Sequence, residues 1–155
     1  MSALGLDLTK NLSYFTIPAV FISCLAPHSY AIATASLKVF DNAQPRGFLD
    51  AVAKSETLDK PTKARIMRAE GASANGFETI GLYAAAVVAA NTAGVDTKFL
   101  NFATLGYVAS RYAFLYTYII LGENRKLSTL RSLIWGSGIA LIMSLFIKAG
   151  YAISK

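Results

Sequence analysis

Charged residues are scarce in this sequence. Of its 155 residues only 15% are Asp, Glu, Lys or Arg, whereas 54% are hydrophobic. An ordinary soluble domain carries roughly 25% charged residues. The deficit argues against a soluble globular domain and predicts that lipid surrounds much of the chain. Four spanning helices of roughly 20 residues each would use more than half of the chain, so we expect a single domain over residues 1–155.

Cysteine and histidine occur once each, as Cys24 and His28. A single cysteine excludes an intrachain disulfide and a cysteine metal cluster. A single histidine leaves no second imidazole for a metal site and no convincing partner for a serine nucleophile. We therefore expect neither a metal centre nor a hydrolase triad, and we interpret His28 as a packed or interfacial side chain.

The net charge of +6 could suggest nucleic acid, but the basic residues fall at the ends of apolar segments. The positive-inside rule explains this placement. The loops after the first and third apolar segments hold Lys38, Arg46, Lys54, Lys60, Lys63, Arg65, Arg125, Lys126 and Arg131, whereas the opposite side holds Lys10, Lys98, Lys148 and Lys155. We predict that both loops face the cytosol and that nucleic acid is not a partner.

Apolar segments predict four spanning helices, at about 11–37, 66–95, 99–121 and 128–151. The first contains no charged residue, and its Pro18 and Pro27 predict kinks. Residues 38–65 are rich in charge and predict a solvated loop with a turn at 42–47. The expected fold is an all-α membrane protein, a four-helix transmembrane bundle.

Two charged residues lie where lipid should surround the chain, Glu78 in the second predicted span and Arg111 in the third. A charge at the centre of a span costs about 2.5–3.5 kcal/mol on insertion scales, so each needs a partner or a wet cavity. Arg68, Asn75 and Glu78 share one helix face by their spacing, as do Arg111 and Tyr118. Two interpretations stay open: a buried Glu78–Arg111 ion pair that fixes helix register, or a polar ligand held between helices.

Four segments resemble the MAPEG family, the membrane-associated proteins in eicosanoid and glutathione metabolism. Residues 68–91, RAEGASANGFETIGLYAAAVVAAN, are similar to the family's second-helix pattern of Arg, then Asn-x-x-Glu, then an Ala-rich apolar run. NAQPRG at 42–47, SRYAFLYTYI at 110–119 and LRSLIW at 130–135 support the likeness. Together with the four predicted spans, the resemblance covers nearly the whole chain.

The resemblance implies a protomer that assembles as a homotrimer, in the endoplasmic reticulum or another microsomal membrane, with glutathione bound between neighbouring protomers near the cytosolic side. The residues that it implies for glutathione binding are Arg68, Asn75, Glu78, Arg111, Tyr118 and Arg131. Arg131 matches an arginine placed near the thiol in several relatives. It would stabilise the thiolate, and Ser132 or Tyr118 would donate a hydrogen bond to sulfur.

The chain departs from the family pattern at several positions. Gly81 and Tyr83 replace a frequent Pro and Phe, which predicts a less kinked helix. Gly71 stands where some relatives have a further arginine, and Phe114 stands where some have a polar residue. These differences predict a weaker glutathione site.

Glutathione carries two carboxylates and one ammonium, which Arg68, Arg111 and Glu78 match in sign. The predicted function is a glutathione transferase-like or peroxidase-like enzyme that acts on a lipophilic electrophile or lipid hydroperoxide arriving from the bilayer. The alternatives are a glutathione-dependent isomerase and a non-catalytic lipid-binding scaffold. A small transporter is less favoured, because the inverted-repeat pattern is missing.

Overall fold

The computed structural model describes residues 7–154, apart from the Arg125 side chain, and over these residues the chain is helical without strands. Its α-helices are α1 (Ser13–Ala35), α2 (Phe48–Lys54), α3 (Lys60–Thr92), α4 (Thr97–Ile119) and α5 (Ser128–Ile153). Short 3-10 turns at Pro45–Gly47, Leu121–Glu123 and Arg125–Leu127 complete the connections. Lys155, which entered the charge comparison, lies outside the described residues.

Four long helices lie over the four predicted spans. Two of them, α1 and α5, have the length and the apolar composition that crossing a membrane requires. That α3 and α4 also cross stays a prediction, because their charged and polar residues lower the mean hydropathy. With 33 residues, α3 is about 50 Å long and exceeds the roughly 30 Å hydrocarbon layer. Part of α3 therefore extends beyond the lipid if this helix crosses it.

Side-chain caps set the start of α3 and of α4. The Asp59 carboxylate accepts a hydrogen bond from the Thr62 backbone N–H at 2.9 Å, and Pro61 occupies the first turn of α3. Asp96 caps α4 in the same way, accepting from the Lys98 N–H at 2.9 Å. Gly94 adopts a φ of 71° in the short turn between the two helices, a conformation that glycine reaches without strain. Helix α3 consequently begins six residues before the predicted 66, which corrects that boundary.

The prediction that residues 38–65 form a solvated loop is incomplete, because these residues contain the helix α2. Phe48 and Val52, one turn apart on this helix, are 3% and 0% exposed. The Phe48 ring packs edge-on against Phe40, with centroids 5.4 Å apart, and against His28. Two apolar residues among many charged ones thus anchor the loop to the bundle.

The buried apolar residues form two clusters along the bundle. In one, the rings of Tyr83 on α3 and Tyr107 on α4 stack with centroids 4.2 Å apart. Their hydroxyl groups remain paired, Tyr83 with Thr16 at 2.5 Å and Tyr107 as a donor to Thr79 at 3.3 Å. The other cluster includes Ile66, Phe48, Phe114 and Ile119.

Helix α5 is the least enclosed of the long helices. Its buried residues are Gly138, Ile142, Leu145 and Ala149. Large apolar side chains such as Leu133, Met143 and Ile147 lie exposed. An exposed apolar helix face of this length is typical of contact with lipid or with another protein surface.

Candidate functional site

A cavity of about 550 Å³ opens among α3, α4 and α5. Its lining consists of Asn75, Phe114, Tyr118, Arg131, Ser132, Trp135 and Gly136. The volume lies within the roughly 300–1,000 Å³ typical of small-molecule sites. Four residues predicted for the site, Asn75, Tyr118, Arg131 and Ser132, therefore meet in one place.

Arg131 supplies the positive charge of this cavity. It lies in the first turn of α5, and its guanidinium stacks over the Tyr118 ring at 4.5 Å from the centroid. Within the part of the chain that the structure describes, it forms no salt bridge. Stacking through its face leaves its N–H edge free to donate. The positive end of the α5 dipole adds to this charge, so the region favours an anion.

Tyr118 and Ser132 differ in how free their hydroxyl groups are. The Ser132 hydroxyl donates to the Ser128 carbonyl at 3.3 Å, within its own helix. The Tyr118 ring lies between Arg131 and Phe114, whose ring centroid is 5.4 Å away. The Tyr118 hydroxyl reaches α3 at Gly71, where a Cβ atom would lie 3.0 Å from it. The space that a side chain at position 71 would fill is therefore occupied by this tyrosine hydroxyl.

Arg111 lies behind the cavity wall and not on it. The residue is 4% exposed, and its Nη1 donates to the Asn75 side-chain oxygen at 3.2 Å. Its guanidinium stacks over Phe114 at 4.6 Å, and its Nε is buried without a hydrogen-bond partner. A narrow crevice next to the cavity is lined by Arg111 and shares Phe114 and Trp135 with it.

Arg68 is directed away from the cavity, toward the end of α4. Its Nε donates to the Ile119 carbonyl at 3.1 Å, and its Nη2 donates to Glu123 at 3.2 Å. Arg65 donates to the same Glu123 oxygen at 2.9 Å. The hydrogen bond from Arg65, with the charges of both arginines, lowers the pKa of Glu123 below its ordinary value. These contacts fasten the α4–α5 connection to α3.

Glu78 lies exposed on α3 and forms no salt bridge within the described chain. The buried Glu78–Arg111 ion pair, one of the two interpretations of these charges, is therefore not formed inside one copy. The expectation that Arg68, Glu78 and Arg111 converge on one cavity is likewise not met within a single chain. The Arg68 side chain lies at the end of α4, and Glu78 lies on the outer face of α3. Arg111 lies behind the wall of the cavity.

The structure adds residues that the sequence did not indicate. Trp135 and Gly136 line the cavity. Trp135 ends the LRSLIW segment that supports the family likeness, but neither residue was predicted for the site. His28 packs against Phe40 and Phe48 and also pairs with Glu70, with 2.7 Å between Nδ1 and Oε1. No signal along the sequence could reveal this pair, because its members lie 42 residues apart on different helices.

Two helices that are long and apolar enough to cross a membrane, packed beside a polar cavity, are typical of a membrane protein. A family model, the MAPEG family, matches residues 14–151. The match covers nearly the whole chain, and the chain belongs to this family, as the sequence motifs predicted. MAPEG is a membrane family that includes glutathione-dependent transferases, isomerases and peroxidases. No curated protein and no solved structure matches the chain.

Proposed function

We propose that this protein is a glutathione-dependent membrane enzyme of the transferase or peroxidase type, acting on a lipophilic electrophile or a lipid hydroperoxide. The observation that carries the proposal is the Arg131 guanidinium in the cavity, stacked on Tyr118 and without an acidic partner in the described chain. A cation kept free of salt bridges beside a polar cavity is suited to an anionic ligand.

Glutathione, when bound, supplies the nucleophilic thiol. A free thiol has a pKa of about 8.5, and a cation that lowers it by about two units contributes roughly 2.7 kcal/mol toward the thiolate. Arg131 and the positive end of α5 stabilise negative charge on sulfur in this way. The Tyr118 hydroxyl, which makes no side-chain hydrogen bond in the described chain, is the better placed donor to sulfur. Ser132 must first release the Ser128 carbonyl.

The cavity fits the rest of the tripeptide when a neighbouring copy contributes to it. The Asn75 amide can donate to a carboxylate, and Glu78 on the outer face of α3 can accept from the ammonium of a molecule bound to the adjacent copy. This arrangement requires a neighbouring protomer, as in a homotrimer with glutathione between protomers. Arg68 and Arg111 then act from the margins of the site. The proposal places the four long helices across a microsomal membrane, with the loops after α1 and α4 in the cytosol.

The second substrate reaches the cavity from the bilayer. Trp135 and Gly136 form the side of the cavity contributed by α5, and Trp135 is 40% exposed on the outward face of this helix. Since α5 turns most of its surface outward, an apolar molecule dissolved in lipid can approach along it without crossing water.

The test measures thiolate formation directly. The purified protein in lipid nanodiscs is titrated with glutathione while thiolate absorbance is followed, and conjugation of a model electrophile is assayed in parallel. We expect Arg131→Ala to abolish the thiolate signal and Arg131→Lys to retain part of it. Arg46→Ala, which removes an exposed arginine in the turn after α1, serves as the matched control and should match the wild type. The proposal fails if the wild-type protein forms no thiolate and no conjugate.

The non-catalytic lipid-binding scaffold is the second candidate. It is favoured by the engagement of Arg68 with Ile119 and Glu123, which leaves fewer free cations at the cavity. Glutathione binding without thiolate, together with retention of a copurified lipid, would support it over the enzyme.

A further inference from the structure

No salt bridge among the described residues balances the charge of the buried Arg111 side chain. The residue is 4% exposed, and its Nε has no hydrogen-bond partner in the described chain. An uncompensated cation in a low-dielectric interior is strongly destabilising. A protein that retains such a charge gains something from it elsewhere, so the neighbours of Arg111 indicate what it does.

The neighbour that accepts a hydrogen bond from Arg111 is Asn75, which lines the cavity. Arginine is a donor only, so it can bond the amide oxygen of Asn75 but not the amide nitrogen. The contact therefore fixes the orientation of the amide. With its oxygen held by Arg111, Asn75 offers its two N–H donors to the cavity, and a ligand must present an acceptor there.

We propose that Arg111 is a positioning residue that orients Asn75 as a donor, and that its buried charge is balanced when the cavity holds an anion. Arg111 need not touch that anion, because Asn75 and Phe114, which both contact its guanidinium, line the cavity. Binding of the anion then stabilises the bundle as well as filling the site, so ligand affinity and fold stability are coupled. The inference rests on the proposed function only in naming glutathione as the anion.

Removing or balancing the Arg111 charge should therefore stabilise the ligand-free protein and, at the same time, weaken ligand binding. Asn75→Asp is nearly isosteric and gives Arg111 a carboxylate partner, but it replaces the donors facing the cavity by a negative oxygen. Arg111→Met removes the charge and the hydrogen bond to Asn75 while retaining an apolar side chain in contact with Phe114. Arg111→Lys keeps the charge and one donor.

The experiment compares these variants in lipid nanodiscs, measuring the thermal unfolding midpoint without ligand and glutathione binding by calorimetry. We expect Asn75→Asp to raise the ligand-free midpoint and to weaken glutathione binding at least about tenfold, a loss typical of one charge-assisted contact. Arg111→Met should leave the ligand-free midpoint unchanged or raised and should also weaken binding. Arg111→Lys should retain most of the binding. Glutathione should raise the wild-type midpoint more than that of either weakened variant.

Opposite signs for stability and binding exclude simple misfolding as the cause. The proposal is overturned if Asn75→Asp and Arg111→Met both lower the ligand-free midpoint, because Arg111 would then be a structural cation. It is also overturned if Glu78→Gln and Arg111→Met each lower that midpoint and the double variant loses no more than either single variant, because Glu78 of a neighbouring copy would then be the counter-ion. Should the wild type bind no glutathione, the proposed function fails alone, since the ligand-free comparison still decides the role of Arg111.

Discussion

Gly71 leaves room for the Tyr118 hydroxyl, which makes this glycine a determinant of the site. We predict that Gly71→Ala displaces Tyr118, since its Cβ would lie 3.0 Å from the hydroxyl oxygen, and that the glutathione thiolate signal falls several-fold. Gly81, also in α3, has open space around its Cβ position and is the matched control. Gly81→Ala should leave thiolate formation unchanged and add about 0.5–1 kcal/mol of stability from helix propensity. Equal thiolate signals in the two variants would contradict the role of Gly71.

Asn101 joins the start of α1 to α4. Its side-chain oxygen accepts from the Leu12 N–H at 2.9 Å, and its nitrogen donates to the Lys10 carbonyl at 2.8 Å and the Leu8 carbonyl at 3.1 Å. Because the residue is 4% exposed, Asn101→Ala leaves these groups without partners, and we predict a loss of about 1–3 kcal/mol in unfolding free energy. Chemical unfolding in detergent measures it. Glutathione binding should be retained. If the binding free energy fell by as much as the unfolding free energy, a purely structural role for Asn101 would be contradicted.

The residue types of the site could be predicted from the sequence, but the direction of each side chain could not. Spacing placed Arg68 and Asn75 on one face of α3, and the helix has that register. An arginine is long enough to lean toward whatever acceptor lies nearby, and the free carbonyl groups at the end of α4 with Glu123 attract Arg68 away from the cavity. That acceptor set depends on how α4 packs against α3, which no local pattern in the sequence specifies.

At the scale of the helices, Glu123 fastens the α4–α5 connection to α3 and so bears on the position of the first turn of α5, which carries Arg131. Bonding to Arg65 and Arg68 lowers its pKa from an ordinary value of 4.5. A carboxylate with a lowered folded-state pKa stabilises the fold above its unfolded pKa, and this stability is lost as the pH falls through the folded-state pKa. We predict that Glu123→Gln lowers the unfolding midpoint at neutral pH and that the difference from wild type disappears on acidification below the ordinary glutamate range.

The measurement is a pair of midpoint-against-pH profiles for the wild type and Glu123→Gln. A difference that grew toward low pH would contradict this sign. Glu56→Gln is the control, because Glu56 is an exposed acidic residue of the α2–α3 connection without a salt bridge in the described chain.

The boundaries of the elements show which local signals can be recognised in advance. The start of α3 follows from Asp59 with Pro61 two residues later, a cap and first-turn pattern that hydropathy alone misses because Lys60, Lys63 and Arg65 are charged. Helix α2 has two buried residues one turn apart, Phe48 and Val52, and becomes a helix because the bundle buries them. Tertiary burial decides such short segments, and local propensity does not.

For the whole molecule, hydropathy identifies α1 and α5 as candidate spans. Charged residues interrupt the apolar sequence of α3 and α4, so hydropathy alone does not identify these two helices as spans. Those same charges pointed to a polar site between helices, so the features that weaken the span prediction are the ones that indicate function. The sequence of one chain does not tell which surfaces face lipid and which face another copy. Both kinds of surface are apolar, and the exposed Glu78 on α3 is the feature that we interpret as marking a surface against another copy.

The exposed position of Glu78 predicts that each site is shared between copies, with Arg131 from one protomer and Glu78 from its neighbour. Glu78→Gln and Arg131→Ala should each be inactive when expressed alone. Coexpressed in equal amounts, they should assemble mixed trimers in which about a quarter of the interfaces carry both intact residues, so about a quarter of the wild-type conjugation rate should return. If one chain supplied both residues to its own cavity, every mixed site would still lack one of them, and coexpression would restore no activity.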